Sequence, residues 1–269
     1  MLKTAKATFI RNMISMLRAY PWTFFISHIL SGIYTVIFGF FTYHYVFQGA
    51  LNEQFSNYSG TNDYLSYVFL GGAMYAFAVS TLMNVSRSLI TEYREGTLEA
   101  LLLTPSSRKG YFVGNVLQQV SRTSLEFMII ILFGSLLGLN LANLDLLSSL
   151  IIWFVAIFAF FTQALVLGSI MLYFRDTYIS QNTLFVTMAF VSGVTFPVQY
   201  LPEWLQPLSV IMPLTPALQA FRQSVIEGHG LAVSAGQILH LGILSAIYLT
   251  VGSLGIKKTE KIIVEKNFG

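Results

Sequence analysis

The chain has no cysteine, few charges and no phosphate-binding loop, and each absence removes a class of function. Without a thiol there is no disulfide framework, no thiolate metal site and no redox couple. Charged residues make up 10% of the 269 residues, against about 25% in a typical soluble protein. No Gly-x-x-x-x-Gly-Lys-Ser/Thr sequence occurs, so this chain does not cradle nucleotide phosphates by that device. The four histidines, His28, His44, His229 and His240, are not at metal-ligand spacing and read as interfacial or hydrogen-bonded side chains. No series of intramembrane acids is present, which argues against a proton-driven carrier.

What is present is apolar. Hydrophobic residues are 55% of the chain and the mean hydropathy is +0.66, the signature of a polytopic membrane protein. A span needs about 20 apolar residues, so about five to seven spans fit this length. Residues 1–20 place Phe9, Met13, Met16, Leu17 and Tyr20 at helical spacing among Lys3, Lys6, Arg11 and Arg18. That pattern predicts an amphipathic helix lying in the membrane interface, stopped by Pro21. The run that follows is too long for a signal peptide and lacks a small-x-small cleavage pattern, so it reads as a retained first span. The expected spans are 22–48, 64–86, 114–139, 148–173, 178–197 and 231–256.

One apolar stretch does not fit a span. Pro197, Pro202, Pro207, Pro213 and Pro216 are five of the seven prolines, and a lipid-facing helix cannot leave that many broken backbone hydrogen bonds unsatisfied. Residues 198–227 are therefore expected to form short re-entrant helices on one side, anchored by Trp204 at the headgroups. Pro197, Pro202 and Trp204 are candidate gate residues.

Sidedness follows from the cations. With the N-terminus inside, 13 of the 15 Lys and Arg fall on inner segments; Arg222 is the outer exception and Arg122 lies in or near span three. The positive-inside bias then gives six spans with both ends cytoplasmic and the proline-rich segment external. It also accounts for the pI of about 9.0 without invoking nucleic acid.

The same topology puts the most charge-dense insert, Glu92–Pro105, in the cytoplasm. Glu92, Arg94, Glu95 and Glu99 crowd its first half, while Leu98, Leu101 and Leu102 recur at helical spacing in its second. Thr104-Pro105 ends the pattern. A short amphipathic helix over 92–104 is expected, either docking a partner or capping the bundle.

Arg122 and Glu126, four apart, share a helix face and can pair. They read either as a path lining or latch, or as a headgroup-level salt bridge opening span three. Arg175-Asp176 is a short inner turn, or a second partner contact. Gly134-Ser-Leu-Leu-Gly138 permits close helix approach within the chain or between chains. Asn57-Tyr-Ser59 is an isolated glycosylation sequon, and Val233-Ser-Ala-Gly-Gln237 a chance likeness to a transport-ATPase signature.

The whole chain resembles the membrane subunit of type-2 ATP-binding-cassette exporters, the permeases of drug, polysaccharide and nodulation-factor export. Glu92-Tyr-Arg-Glu-Gly-Thr-Leu-Glu-Ala-Leu-Leu-Leu-Thr-Pro105 is similar to the family's cytoplasmic loop. Ser192-Gly-Val-Thr-Phe-Pro197, Leu201-Pro-Glu-Trp-Leu-Gln206 and Pro213-Leu-Thr-Pro216 with Arg222 and Gly228 resemble its external segment. The resemblance implies an all-α permease in a bacterial inner (plasma) membrane, paired with a second permease as homodimer or heterodimer and with two copies of an ATPase subunit. It implies that the Glu92–Leu103 helix docks on that ATPase, which would hold the ATP and magnesium. This chain would bind no cofactor and do no bond chemistry. It would form the path for a drug-like or amphipathic molecule or, alternatively, a lipid-linked polysaccharide or glycolipid; an ATP-independent carrier is the other reading.

Overall fold

In the computed structural model the described residues are 1–19, 26, 30, 33–34, 37–38, 40–46, 53–94, 108–136, 138–174 and 178–268. The expected first span, 22–48, lies largely outside them. So do Glu95, Leu98, Glu99, Leu101 and Leu102 of the charged insert, and the Arg175-Asp176 turn. The described residues contain helices and turns and no strand.

Helix α1 is Leu2–Ala19 and the short α2 is Glu53–Ser59. The long α3, Tyr64–Arg94, carries Glu92 and Arg94 as its last turn, without a break from the span. Helices α4, Arg108–Leu136, and α5, Leu146–Phe174, follow. The long final helix, Ala235–Phe268, we call α9. Each of α3, α4, α5 and α9 contains a stretch long and apolar enough to cross a membrane, four among the described residues.

The expected fifth span meets a shorter element. Helix α6, Ile179–Val191, has 13 residues, about 20 Å at 1.5 Å per residue against about 30 Å of hydrocarbon. Gly193, at φ +76°, turns the chain immediately afterwards. The proline-rich segment then forms a 3-10 turn, Val198–Tyr200, and two short helices, α7 (Gln206–Ile211) and α8 (Leu214–Val225). Its prolines sit at helix starts: Pro207 in the first turn of α7, and Pro213 as the N-cap residue of α8. There the missing N–H breaks no helical hydrogen bond.

Two long helices begin with the same device. In Asp63-x-x-Ser66 the Asp63 carboxylate accepts the Ser66 N–H at 3.0 Å and the Ser66 hydroxyl at 2.5 Å. In Asp145-x-x-Ser148 the corresponding distances are 3.3 and 2.6 Å. Each satisfies an otherwise orphaned N-terminal donor of its helix.

Helix α5 is the axis of the bundle, packed by α3, α8 and α9. Ile152, Ala156, Phe160, Ala164 and Met171 on α5 are fully buried, against Leu70, Met74 and Leu82 of α3, Leu214 and Leu218 of α8 and Leu241 of α9. Lipid is as apolar as leucine, so these helices are held by close packing rather than by escape from water. Small residues supply the closeness. A Cβ on Gly252 of α9 would fall 2.9 Å from the Val166 nitrogen of α5, and one on Gly255 would fall 2.6 Å from the Ser169 hydroxyl. Gly134 is small because the Phe69 ring lies against it, 2.0 Å from where its Cβ would be. Gly138 has φ +106° with open space around it. The Gly134–Gly138 pattern is thus one packing contact and one turn.

Candidate functional site

Two polar assemblies interrupt the apolar bundle, one on each side of its waist. The first lies between α3 and α4. The Arg122 Nε donates to Glu126 Oε1 at 3.0 Å, and both side chains are about 5% exposed. The Ser80 hydroxyl of α3 donates to Glu126 Oε2 at 2.9 Å, and Asn84 Nδ2 to the Ser80 carbonyl at 2.7 Å. The pair lies well inside the apolar stretch Val113–Leu136. A carboxylate buried there requires a cation and a hydroxyl to offset its desolvation. Of the two readings open in the sequence, burial places the pair in the helix packing, where it bridges α3 and α4.

The same face of α4 continues toward its start with buried Gln118 and Asn115. Asn115 hydrogen-bonds Asn12 of α1, and the Arg11 guanidinium lies 5.7 Å from the centre of the buried Tyr111 ring. Gly110 and Gly114 let α1 approach: Cβ atoms there would fall 2.6 Å from the Met1 carbonyl oxygen and 2.4 Å from that of Ala5. The N-terminal helix is therefore seated on the first turns of α4.

The second assembly is toward the opposite end of the bundle, around the start of α3 and the body of α8. Arg222 of α8 is buried. Its Nε and Nη2 donate to the Tyr67 carbonyl at 3.2 and 2.9 Å, its Nη1 to Gly193 at 2.9 Å, and its Nη2 also to Val194 at 2.9 Å. Its guanidinium carbon lies 3.4 Å from the centre of the Tyr67 ring, within cation–π range. Gly71 is required beneath it: a Cβ there would fall 2.0 Å from the Val194 carbonyl oxygen and 2.6 Å from Arg222 Nη2. Among the described residues no carboxylate pairs with this arginine. Four carbonyl hydrogen bonds and a ring face take the place of one.

Over this arginine opens a polar cavity of about 350 Å³. Asn57, Ser192, Gln199, Gln219, Gln223 and Gln237 line it, from α2, the turn after α6, the 3-10 turn, α8 and α9. Pro197 lies on its wall and is buried, whereas Pro202 and Trp204 are exposed and apart from it, Trp204 at 75%. Among the described residues no His/Cys/Asp/Glu group could hold a metal ion.

Sequence reasoning brought out Arg122 and Glu126 and missed the second assembly. It placed Arg222 by the positive-inside count, as the outer exception in the proline-rich segment. The need for such a cage shows only in the fold: ten of the twelve residues of α8 are buried, and a cation on an almost wholly buried helix needs a built environment.

The Putative transport permease ycf38 of Cyanophora paradoxa is 27% identical over 216 residues, 75% of this chain and 73% of that protein. Nodulation protein J of Sinorhizobium fredii is 35% identical over 85 residues, 29% of this chain and 31% of that protein. The profile of the ABC-2 type transporters matches residues 4–226. With four helices among the described residues long and apolar enough to cross a membrane, the chain is a membrane transport subunit and belongs to the ABC-2 type transporter family.

Proposed function

We propose that this chain is the membrane-spanning half of an ATP-driven exporter, in which a separate ATPase grips the Glu92–Pro105 insert. The observation that carries the reading is the junction at that insert. It joins the end of α3 at Arg94 to the start of α4 at Arg108, and those two helices are pinned by the Ser80–Glu126–Arg122 bridge. The α1 helix is seated on the first turns of α4, the helix that follows the insert. A displacement of the insert would reach α3, α4 and α1 together, which is what a coupling element requires.

In this reading two permease chains and two ATPase subunits alternate access across a bacterial inner membrane, and both termini face the cytoplasm. ATP and magnesium reside on the ATPase, and this chain contributes the path and transmits movement. The cargo is a drug-like or amphipathic molecule. Export of a lipid-linked polysaccharide or other glycolipid is the second reading, favoured by the amide-rich cavity at the far end.

The test is copurification of a stoichiometric ATPase with the full-length chain, compared with Leu98→Asp, Glu99→Lys and Leu101→Asp variants. Loss of the ATPase from the variants, with the chain still in the membrane, is the expected result. An undiminished complex, or gradient-driven transport by the chain alone in liposomes, overturns the proposal.

A further inference from the structure

The cavity over Arg222 has a composition that selects among ligands. Five amide side chains face it, from α2, the 3-10 turn, α8 and α9. Gln219 and Gln223 are one turn apart on α8, and Gln219 is exposed on that otherwise buried helix. The Ser234 hydroxyl donates to Gln223 Oε1 at 3.0 Å, which directs the amide NH2 elsewhere. On the floor, Ser192 is 1% exposed and its hydroxyl has no hydrogen-bond partner, an unmet polar atom of the kind that a ligand or an ordered water normally satisfies.

The two charged groups on the cavity lining, Arg222 and Glu227, are already engaged by other partners. Four of the five guanidinium N–H groups of Arg222 are taken by carbonyls, which leaves a single Nη1 hydrogen for a ligand and no free fork for a bidentate anion. Glu227, at the rim, holds His229 Nδ1 at 2.9 Å and abuts Gly60. What remains are groups that both donate and accept, as a hydroxyl does. Tyr58 adds an aromatic ring to the lining, packed perpendicular to Tyr200 with the centroids 5.6 Å apart. A volume of about 350 Å³ is at the low end for ligand pockets, about 300–1,000 Å³, and too small for a lipid tail together with its headgroup.

We propose that this cavity binds one neutral, hydroxyl-rich ring of the sugar type, with the amides reading its hydroxyls, Ser192 completing the floor and Tyr58 covering its C–H face. The site lies within one chain and does not depend on the ATPase reading. The ring can belong to a free sugar or to the headgroup of a glycolipid.

The experiment uses the full-length chain purified in an amine-oxide detergent, because sugar-headed detergents would compete. Methyl α-glucoside, octyl glucoside below its micelle concentration, and inorganic phosphate are titrated, with saturation-transfer NMR and calorimetry as readouts. Saturable binding of methyl α-glucoside is expected, with a Kd of about 1 mM or tighter. Gln219→Leu and Gln237→Leu are each expected to weaken it about fivefold or more. Equal affinity for the two glucosides identifies a free-sugar site, and clearly tighter octyl glucoside binding identifies a headgroup site; both support the proposal. A variant whose melting temperature shifts is replaced by Gln199→Leu, which alters an exposed side chain. Absence of saturable binding by either glucoside, binding of phosphate alone, or glucoside binding indifferent to these substitutions overturns it.

Discussion

Arg222 lies with its guanidinium carbon 3.4 Å from the centre of the Tyr67 ring while donating twice to the Tyr67 backbone carbonyl. One residue of α3 thus supplies both a face and an acceptor to one residue of α8. The arrangement stands in for the carboxylate that a buried cation ordinarily requires, because several carbonyl dipoles and a ring quadrupole together offset its desolvation.

Arg222→Ala removes the guanidinium from the Tyr67, Gly193 and Val194 carbonyls, of which Gly193 keeps the Tyr67 hydroxyl at 3.2 Å; a buried carbonyl left unpaired costs about 1–3 kcal/mol. A loss of about 3 kcal/mol or more is expected, read as a large drop in melting temperature in detergent. Arg222→Lys restores the charge without the planar fork and is expected to recover only part of the loss. A lysine variant as stable as the parent would show that charge alone is required.

Gly71→Ala places a methyl group 2.0 Å from the Val194 carbonyl oxygen and 2.6 Å from Arg222. Neither the caged guanidinium nor the backbone can give way cheaply. A cost of about 1–3 kcal/mol or more is expected. The check is whether Gly242→Ala, where a Cβ would meet nothing within 4 Å, leaves thermal stability much less affected.

Glu126→Ala strands the Arg122 charge inside the bundle and is expected to cost about 3–5 kcal/mol. Replacing both partners with apolar residues, Arg122→Met with Glu126→Leu, is expected to recover most of that stability. The double variant also cuts the polar bridge from α4 to Ser80. If ATPase coupling fails while stability returns, the bridge serves movement rather than folding.

Acidification has one assigned contributor outside the apolar stretches. The Ser148 hydroxyl, and after it the Ser148 N–H, hold the Asp145 carboxyl below the usual carboxylate range. Such a group stabilises the fold above its unfolded pKa of about 3.9, and the contribution is lost as pH falls through the lower folded value. Asp145→Asn is expected to lower the melting temperature slightly at neutral pH, with the gap to the parent closing below about pH 4.

The helical spans at α3, α4, α5 and α9 were legible because apolar length is a strong signal in a membrane chain. The prolines of residues 197–216 correctly marked broken helices, since each ring removes a donor. Helix α6 was harder to bound: its apolar run continues through Phe196, and what ends it is the backbone turn at Gly193, which hydropathy does not register. The Arg222 cage was not legible at all. Its acceptors are backbone carbonyls of Tyr67, Gly193 and Val194, and a carbonyl looks the same at every position of a sequence. Only the small Gly71 beneath it left a trace, and glycines within spans are too common to read singly.

Because one guanidinium fastens the start of α3, the turn after α6 and the body of α8, these three segments form a single casting at the rim of the bundle. It can tilt or shift as a unit, but it cannot open petal by petal without first dismantling that knot. Any doorway on that side must therefore part along a boundary of the rim, where it meets lipid or a neighbouring chain, and not through its middle.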